Sequence, residues 1–213
     1  KRKNIIKKYF YNDIFYKKIL KNKKNKNIQF EYNKIKKYKK RIKFVYQNSP
    51  KGTGDAILKC KKFIKSKYFL LIMPDDLIMK KNCSQSMIKI CKKYNSSVIA
   101  SMKVNKNDVS RWGIFDFKKI VNKNFIIKDV VEKPSCSSAP SNYAIIGRYI
   151  LPSTIFNILE KQKPGQNGEI HITDAIRNLI KQKKKFIGYI FSGNYLDCGT
   201  MKGYLNSSLK ISQ

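Results

Sequence analysis

From residue 42 onward, short apolar runs alternate with stretches that carry apolar residues at helical spacing, and this alternation limits the possible folds. The clearest run, at 68–73, is continuously apolar and stops at Pro74, which is typical of a buried parallel strand. We predict strands at 42–47, 68–73, 98–104, 113–117, 126–132, 143–150 and 186–191, and helices at 55–65, 84–94, 155–161, 174–183 (with Thr173 as N-cap) and 200–211. Such alternation favours an α/β fold in which helices flank a parallel or mixed central sheet.

Residues 1–41 have a different character, because they are strongly basic and low in complexity. Their apolar residues approach helical spacing, which predicts one or two exposed helices. The sequence shows neither an internal repeat nor a linker. We therefore expect a single domain over 1–213, with 1–41 as a basic helical segment within it.

The net charge of +34 is large, but its composition argues against a surface built to bind nucleic acid. Only five of the 47 basic residues are Arg, whereas Lys, Asn and Ile are abundant together. A nucleic-acid surface usually carries a good share of Arg, because guanidinium groups make paired hydrogen bonds to phosphates and bases. We attribute most of the charge to a coding bias toward AT-rich codons, and keep a polyanion-binding surface as the minor alternative.

Cysteine and histidine usage argues against a zinc site. The chain has five Cys, none in a C-x-x-C pair, and a single His. No stretch approaches the roughly 18 apolar residues that a membrane helix needs. An odd number of Cys without a visible secretory signal favours reduced thiols and a cytoplasmic location.

Three carboxylates are candidates for a metal site. Asp75 and Asp76 directly follow the apolar run and Pro74, and Asp197 stands between the last strand and the last helix. Ligands of open α/β sheets bind at the carboxyl ends of strands, and Mg²⁺ prefers one or two carboxylates together with substrate phosphates. The alternative is structural, since each Asp could instead cap a helix or lie in a solvated turn.

Two further segments could bind a phosphorylated sugar or nucleotide. Glu132 and Lys133 end a predicted strand, where the carboxylate could hold a sugar hydroxyl and the ammonium a phosphate; the alternative is a surface ion pair of little consequence. The loop SPKGTG at 49–54 leads into a predicted helix, and its glycines would let a ligand approach the backbone closely. It lacks the Walker A spacing, so a plain turn between strand and helix explains it equally well.

Six short segments, in their order along the chain, resemble the bacterial UTP–glucose-1-phosphate uridylyltransferases. They are Gln47 with KGTGDAI at 51–57, IMPDD at 72–76, VVEKP at 130–134, APSNYAIIGRY at 139–149, GEIHITDAI at 168–176 and LDCG at 196–199. The resemblance runs from about residue 42 to the C-terminus, with a fainter trace before it. Each segment is short, but six in the right order are a specific signal.

The resemblance implies a Rossmann-like nucleotidyltransferase domain with a mixed central sheet. The implied reaction transfers the uridylyl group from UTP to glucose 1-phosphate and yields UDP-glucose and pyrophosphate, by positioning and charge neutralisation. By the same resemblance, Asp75 and Asp197 are Mg²⁺ ligands and form the catalytic set together with Lys133. The implied substrate contacts are Gln47 and Gly52 with the uracil edge, Gly113 and Glu132 with the sugar, and Lys133 with a phosphate.

Two residues depart from the family pattern: Asp55 stands where the family usually has His, and His171 where it usually has Gln. A larger departure is an absence. The family opens with a strand and a G-x-G-T-R-x-x-P loop, followed by a Lys, which cradle the UTP phosphates, and the 213 residues contain no such loop. We therefore expect a fragment with the first strand and phosphate loop missing, which is inactive alone and tends to associate through an exposed sheet edge.

Other functions remain open at this point. A related alternative is another sugar-1-phosphate nucleotidyltransferase, such as a thymidylyl enzyme. The alternative from a different class is a basic nucleic-acid-binding protein. The implied partners are UTP and glucose 1-phosphate, with no membrane, and the chain could form a homo-oligomer.

Overall fold

The computed structural model describes residues 4–12, 14, 17–18, 20, 26–165 and 168–213. The chain forms two compact units, Lys1–Tyr46 and Gln47–Gln213, and each is described by itself. Parts of the predicted basic helical segment, at 1–3, 13, 15–16, 19 and 21–25, lie outside the described residues. The organisation of 1–213 as one domain stays a prediction.

The first unit is helical in its described part. It contains α1 (Asn4–Tyr11) and α2 (Lys26–Lys39). Tyr32 and Ile35 of α2 are buried, and partly buried apolar residues from the preceding segments pack against them. The prediction of helices is therefore confirmed for the described parts of 1–41.

The strand predicted at 42–47 is not formed, because these residues have irregular backbone. The Phe44 ring instead packs against Phe10 and Tyr11, with 6.4 and 5.7 Å between ring centres. The Tyr11 hydroxyl donates a hydrogen bond to the Ile42 carbonyl at 3.3 Å. A strand needs a neighbouring strand for its backbone hydrogen bonds, and the described part of this unit offers only helices.

The second unit is built on a mixed sheet. The strands are β1 (Tyr68–Ile72), β2 (Asp76–Met79), β3 (Ser97–Lys103), β4 (Gly113–Phe117), β5 (Asn124–Glu132), β6 (Tyr143–Pro152), β7 (Phe186–Ile190) and β8 (Asn194–Asp197). Six of them form one sheet in the order β1-β6-β3-β7-β5-β4, and β2 pairs with β8 in a small second sheet. Only β3 and β7 pair in parallel within the described sheets. The predicted mixed sheet is confirmed, whereas the small sheet was not predicted.

The helices of the second unit are α3 (Thr53–Leu58), α4 (Cys83–Tyr94), α5 (Ile155–Lys161), α6 (Ile172–Lys181) and α7 (Met201–Ser212). The helix predicted at 55–65 is shorter than expected and is followed by a 3₁₀ turn at Lys61–Phe63. There the N–H groups of Cys60 and Phe63 bond to carbonyls three residues back, so the α-helical pattern is not continued. No helix in the described ranges is long and apolar enough to cross a bilayer.

The two faces of the large sheet carry separate hydrophobic cores. Side chains alternate along a strand, so Ile99 of β3 faces one core while Val98 and Ala100 face the other. Buried residues of α3, α5 and α6 belong to the first core, and those of α4 belong to the second. The helices therefore flank the sheet on both faces, as predicted.

Strand β1 corrects the prediction of a buried parallel strand. Among the described residues it pairs only with β6, in antiparallel orientation, and lies at the edge of the sheet. Leu70 and Ile72 are 36% and 48% exposed. A continuous apolar run identifies a strand, but it does not fix the direction of the partner, which comes from a distant part of the chain.

Candidate active site

The turn that follows β1 presents Asp75 and is fixed from two directions. The Met73 N–H donates to the Gly147 carbonyl at 2.8 Å, and the Arg148 guanidinium donates to the Met73 carbonyl at 3.0 Å. On the other side, the Cys198 N–H donates to the Asp75 carbonyl at 2.8 Å. Pairing of β2 with β8 thus holds the LDCG segment beside this turn.

The carboxylates of Asp75 and Asp197 border one small space. A Cβ atom at Gly199 would lie 3.0 Å from Asp75 Oδ2 and 3.3 Å from Asp197 Oδ1. The space exists because residue 199 has no side chain. Asp197 Oδ1 also accepts the Gly199 N–H at 2.9 Å, which orients the carboxylate. The structure therefore brings together the two residues predicted as metal ligands.

Asp76, unlike its neighbour Asp75, holds the fold together with its carboxylate. Its Oδ2 accepts the Gly147 N–H at 2.7 Å, and its Oδ1 accepts the Tyr195 hydroxyl. Burial raises the pKa of Asp76, although these two hydrogen bonds act in the opposite direction. Asp76 thus ties the turn to β6 and β8.

Tyr149 lies among the acidic groups of the site, and the sequence did not identify it. Burial raises the pKa of Tyr149, and the negative charges of Asp76, Glu132 and Asp75 raise it further. The phenol therefore stays neutral. Asp76 lies on β2, Glu132 on β5 and Tyr149 itself on β6, so the contributing groups come from distant parts of the chain.

Gln47 holds the glycine loop in place. Its side-chain nitrogen donates to the Gly52 carbonyl at 3.1 Å and to Asp55 Oδ2 at 2.8 Å. This hydrogen bond lowers the pKa of Asp55, against the effect of burial, and Lys59 at 3.5 Å lowers it further. Asp55, one of the two departures from the family pattern, is therefore a buried, charged anchor of the loop.

Gly52 is required by geometry. Its φ is +92°, and a Cβ atom would lie 2.6 Å from the Ile170 carbonyl oxygen. The loop and the GEIHITDAI segment are joined by backbone hydrogen bonds from Ile170 to Lys51 and from Gly54 to Ile170, at 2.9 and 2.7 Å. The glycine loop is thus packed directly against the start of α6.

The start of α6 corrects the predicted N-cap. The helix begins at Ile172, so Thr173 already lies inside it and is not the N-cap. The Ile172 N–H donates to Thr53 Oγ1 of the glycine loop at 3.3 Å. Thr173 is buried, and its hydroxyl has no hydrogen-bond partner among the described residues. A side chain from a distant loop performs the capping, which local sequence does not reveal. His171, the other departure, precedes the helix without a side-chain capping bond.

Gly113 and Glu132 face each other across β4 and β5. A Cβ atom at Gly113 would lie 3.3 Å from Glu132 Oε2 and 3.5 Å from Thr173 Cγ2. Gly113 is buried, and a Cβ there would also lie 2.9 Å from Ile145 Cδ1, so the absence of a side chain lets β4 pack closely against Glu132 and the first turn of α6. The two predicted sugar contacts are adjacent in the structure.

Lys133 leaves the strand in a left-handed conformation, with φ of 44°. Its N–H donates to the Trp112 carbonyl at 3.1 Å, which closes the β4–β5 ladder beyond Glu132. Its side chain is exposed. The positive φ turns the chain sharply at the position where the sequence predicts a phosphate contact.

Arg111 is a site residue that the sequence analysis missed. Its guanidinium lies 3.0 Å from Asp197 Oδ2 and 4.5 Å from the centre of the Trp112 ring. A shallow cavity of about 540 Å³ next to Asp197 is lined by Arg111, Lys202 and Lys210. The side of the site next to Asp197 is therefore basic. Only the folded chain shows this, because nothing near Arg111 in sequence points to Asp197.

No group of three or more His, Cys, Asp and Glu side chains within the described ranges is placed to hold a metal ion. A metal at this site would therefore have protein ligands from the pair Asp75 and Asp197 and would complete its coordination with oxygen atoms of substrate or water.

The chain is similar along most of its length to proteins named as uridylyltransferases. It is 39% identical over 170 residues to a putative UTP–glucose-1-phosphate uridylyltransferase of Methanocaldococcus jannaschii, covering 80% of this chain and 59% of that protein. It is 38% identical over 170 residues to the UTP–glucose-1-phosphate uridylyltransferase of Pseudomonas aeruginosa, covering 78% of this chain and 60% of that protein. A crystal structure of UDP-glucose pyrophosphorylase complexed with UDP-glucose superimposes with a TM-score of 0.80 at 37% identity, over 88% of this chain and 73% of that one.

The chain spans about three fifths of the length of the curated relatives it matches. The family described as "Nucleotidyl transferase" matches residues 4–213, which extends the resemblance seen in sequence to nearly the whole first unit. The fold is the mixed α/β fold of these enzymes. The chain therefore belongs to the nucleotidyl transferase family.

Proposed function

We propose that this chain supplies the metal, uracil and sugar contacts of a UTP–glucose-1-phosphate uridylyltransferase. In that reaction an oxygen of the glucose 1-phosphate group attacks the α-phosphorus of UTP, and pyrophosphate leaves. The observation that carries the proposal is the space that the carboxylates of Asp75 and Asp197 share. The names of the relatives support the choice of substrates.

Asp75 and Asp197 fit Mg²⁺, which favours carboxylate oxygens and retains positions for phosphate oxygens and water. Bound there, Mg²⁺ would neutralise negative charge on the nucleotide phosphates. Asp75 and Asp197 would hold the ion. Asp76 would keep the turn in place, because its carboxylate accepts hydrogen bonds from Gly147 of β6 and Tyr195 of β8.

Gln47 and Gly52 fit the edge of uracil. Gln47 holds the loop with its side-chain nitrogen, so its side-chain carbonyl oxygen could accept a hydrogen bond from the uracil N–H. The backbone N–H of Gly52 could donate to a uracil carbonyl, since no hydrogen bond within the described residues uses it. One acceptor and one donor in a row complement the donor and acceptor on that edge.

Glu132 and Lys133 fit the sugar phosphate. The Glu132 side chain is exposed beside Gly113, so a sugar hydroxyl could donate to its carboxylate. The exposed Lys133 follows at the sharp turn, where its ammonium could pair with a phosphate oxygen. The thymidylyl alternative uses the same groups and differs mainly in the base and the ribose.

Saturation-transfer NMR with the 213-residue chain tests these assignments, because it detects weak ligands. We expect transfer from wild-type protein to both the uracil and glucose protons of UDP-glucose. Glu132→Gln should weaken the glucose signals selectively, and Gln47→Ala the uracil signals, while the surface control Glu160→Gln changes neither. No transfer in the wild type, or equal signals in all variants, would refute the assignments. Preferential binding of dTDP-glucose would favour the thymidylyl alternative.

Turnover by the same chain is a separate expectation. We expect no detectable pyrophosphate release from UTP and glucose 1-phosphate, with or without Mg²⁺. The 213 residues contain no G-x-G-T-R-x-x-P loop, and loss of one preorganised donor to developing charge costs about 10²–10³ in rate. Robust turnover would show that another element, such as residues 1–41, binds the phosphates.

A further inference from the structure

A groove of about 510 Å³ opens at the end of the β4–β5 hairpin that is remote from Glu132. Ile126 and Ile187 line its base and lie directly opposite each other on β5 and β7. Helix α4 packs over β3 and β6 on this face, and Ile126 stays 50% exposed. This groove, called the β5 groove below, has the volume of a small-molecule site.

The sides of the β5 groove are also apolar. Tyr94, the last residue of α4, and Val121 of the β4–β5 connection both line the groove. They are 46% and 54% exposed. An apolar body bound between them would cover side chains that now contact water, and this burial favours binding.

Charge in the β5 groove has a single sign. Four Lys residues line it, Lys118, Lys119, Lys128 and Lys185, and none of the described residues that line it is acidic. The Lys185 ammonium lies 5.9 Å from the centre of the Tyr94 ring, so charge and aromatic surface are adjacent. A second copy of this chain would bring Lys against Lys, whereas an anion would be attracted.

A polar group at the same place lacks a partner. Asn124 lines the groove and donates its side-chain amide to the Asn122 carbonyl at 2.8 Å. Its side-chain oxygen is buried and accepts no hydrogen bond within the described part of the chain. The Asn124 amide is therefore a polar part of the wall, while its enclosed oxygen stays out of contact with a ligand in the groove.

We propose that the β5 groove binds an amphipathic organic anion, with an apolar or aromatic body against Ile126 and Tyr94 and its negative group near the lysines. The confined apolar base favours a small molecule over a nucleic-acid strand, which would lie along exposed phosphate contacts. This site is independent of the proposed function, because it lies at the far end of the hairpin from Glu132.

The dye 8-anilino-1-naphthalenesulfonate is a suitable probe, because it combines an aromatic body with a sulfonate. Fluorescence titration of the folded 213-residue chain should show saturable binding. N-phenyl-1-naphthylamine, which has the same body without the sulfonate, should bind at least about tenfold more weakly. Equal affinity of the two dyes would overturn the proposal. The proposal would also fail if a single-stranded oligonucleotide displaced the anionic dye at a lower concentration than a small aromatic carboxylate does.

Variants locate the probe. The triple variant Lys118→Glu, Lys119→Glu, Lys128→Glu should weaken dye binding at least about tenfold. The control triple variant Lys161→Glu, Lys163→Glu, Lys181→Glu changes the net charge equally at exposed positions outside the groove and should leave affinity within about threefold. Ile126→Thr, which keeps a β-branched residue on the strand, should weaken binding without altering the melting temperature. Equal losses in both triple variants, or unchanged binding in Ile126→Thr, would place the dye elsewhere and refute the site.

Discussion

Asp76 faces Asp197 across the antiparallel pair β2–β8, and the two carboxylates have different tasks. Asp76 accepts hydrogen bonds from Gly147 and Tyr195 with its two oxygens. Asp197 accepts the Gly199 N–H with Oδ1 and pairs with Arg111 through Oδ2, and its Oδ1 also borders the space that it shares with Asp75. Neighbouring residues in the sequence, Asp75 and Asp76, are thus divided into one carboxylate open to a ligand and one that holds the fold.

The first prediction separates these two neighbours by stability. Asp76→Ala should lower the free energy of unfolding by about 1–3 kcal/mol or more, because it leaves the Gly147 N–H and the Tyr195 hydroxyl without their acceptor. Asp75→Ala, the matched control, should change it by less than about 0.5 kcal/mol. Urea denaturation followed by circular dichroism measures both, and equal effects would contradict the division of tasks.

The second prediction concerns pH and Asp55. The hydrogen bond from Gln47 lowers the pKa of Asp55 in the folded chain. The ionised Asp55 side chain therefore stabilises the fold at pH values above its pKa in the unfolded chain, and this stabilisation is lost as the pH falls through its pKa in the folded chain. Asp55→Asn keeps the shape of the side chain and removes the charge. The loss of unfolding free energy in this variant should be larger at neutral pH than in acid, as measured by urea titrations at several pH values. A loss that is constant with pH would show that the charge of Asp55 is unimportant.

The third prediction compares two glycines. A Cβ at Gly147 would overlap Asp76 Oδ2 and Met73 Cβ, so Gly147→Ala should destabilise the fold by about 1–3 kcal/mol or more. A Cβ at Gly113 meets the end of the Ile145 side chain at 2.9 Å, which can move, and then fills the space beside Glu132. Gly113→Ala should therefore reduce binding of UDP-glucose more than it reduces the melting temperature. A larger loss of stability in Gly113→Ala than in Gly147→Ala would contradict the geometry of both positions.

The fourth prediction concerns the edge strand β1. Its outer edge is unpaired within the described residues, and Leu70 and Ile72 are exposed, which is an arrangement that promotes association between chains. The 213-residue chain should form larger species as concentration rises in sedimentation velocity. Leu70→Lys should reduce this association, whereas Val121→Lys, an exposed apolar position on another part of the surface, should not. A monomer at all concentrations would show that the edge is protected.

The sequence predicts most elements of the second unit because their signals are local. Periodicity indicates α4 and α5, and apolar runs indicate β1, β3 and β7. The pair β2 and β8 was missed because each strand has only four residues and is defined by its partner. Residues 42–47 were predicted as a strand for the same reason, since a local pattern does not reveal whether a neighbouring strand is present. Without such a strand, their backbone is irregular.

The site was predicted through the order of its short motifs, and the contacts between them came from the fold. Asp75 and Asp197 converge as expected. Capping of α6 by Thr53, the ion pair of Arg111 with Asp197 and the burial of Tyr149 all depend on residues distant in sequence, so no local pattern indicates them. Arg111, Arg148 and Arg177 all bond to groups of this chain, and the interpretation of the net charge as a coding bias stays a prediction.

Metal binding tests the central claim most directly. Mn²⁺, which replaces Mg²⁺ at many carboxylate sites, can be titrated into the 213-residue chain with UDP-glucose and followed by electron paramagnetic resonance of the free ion. We expect one site in the wild type, and affinity at least about tenfold weaker in Asp75→Asn and in Asp197→Asn. Glu160→Gln, which removes a surface carboxylate paired with Lys61, should bind as the wild type does. Absence of a site in the wild type, or equal affinity in Asp75→Asn, Asp197→Asn and the wild type, would show that these two carboxylates do not form a metal site.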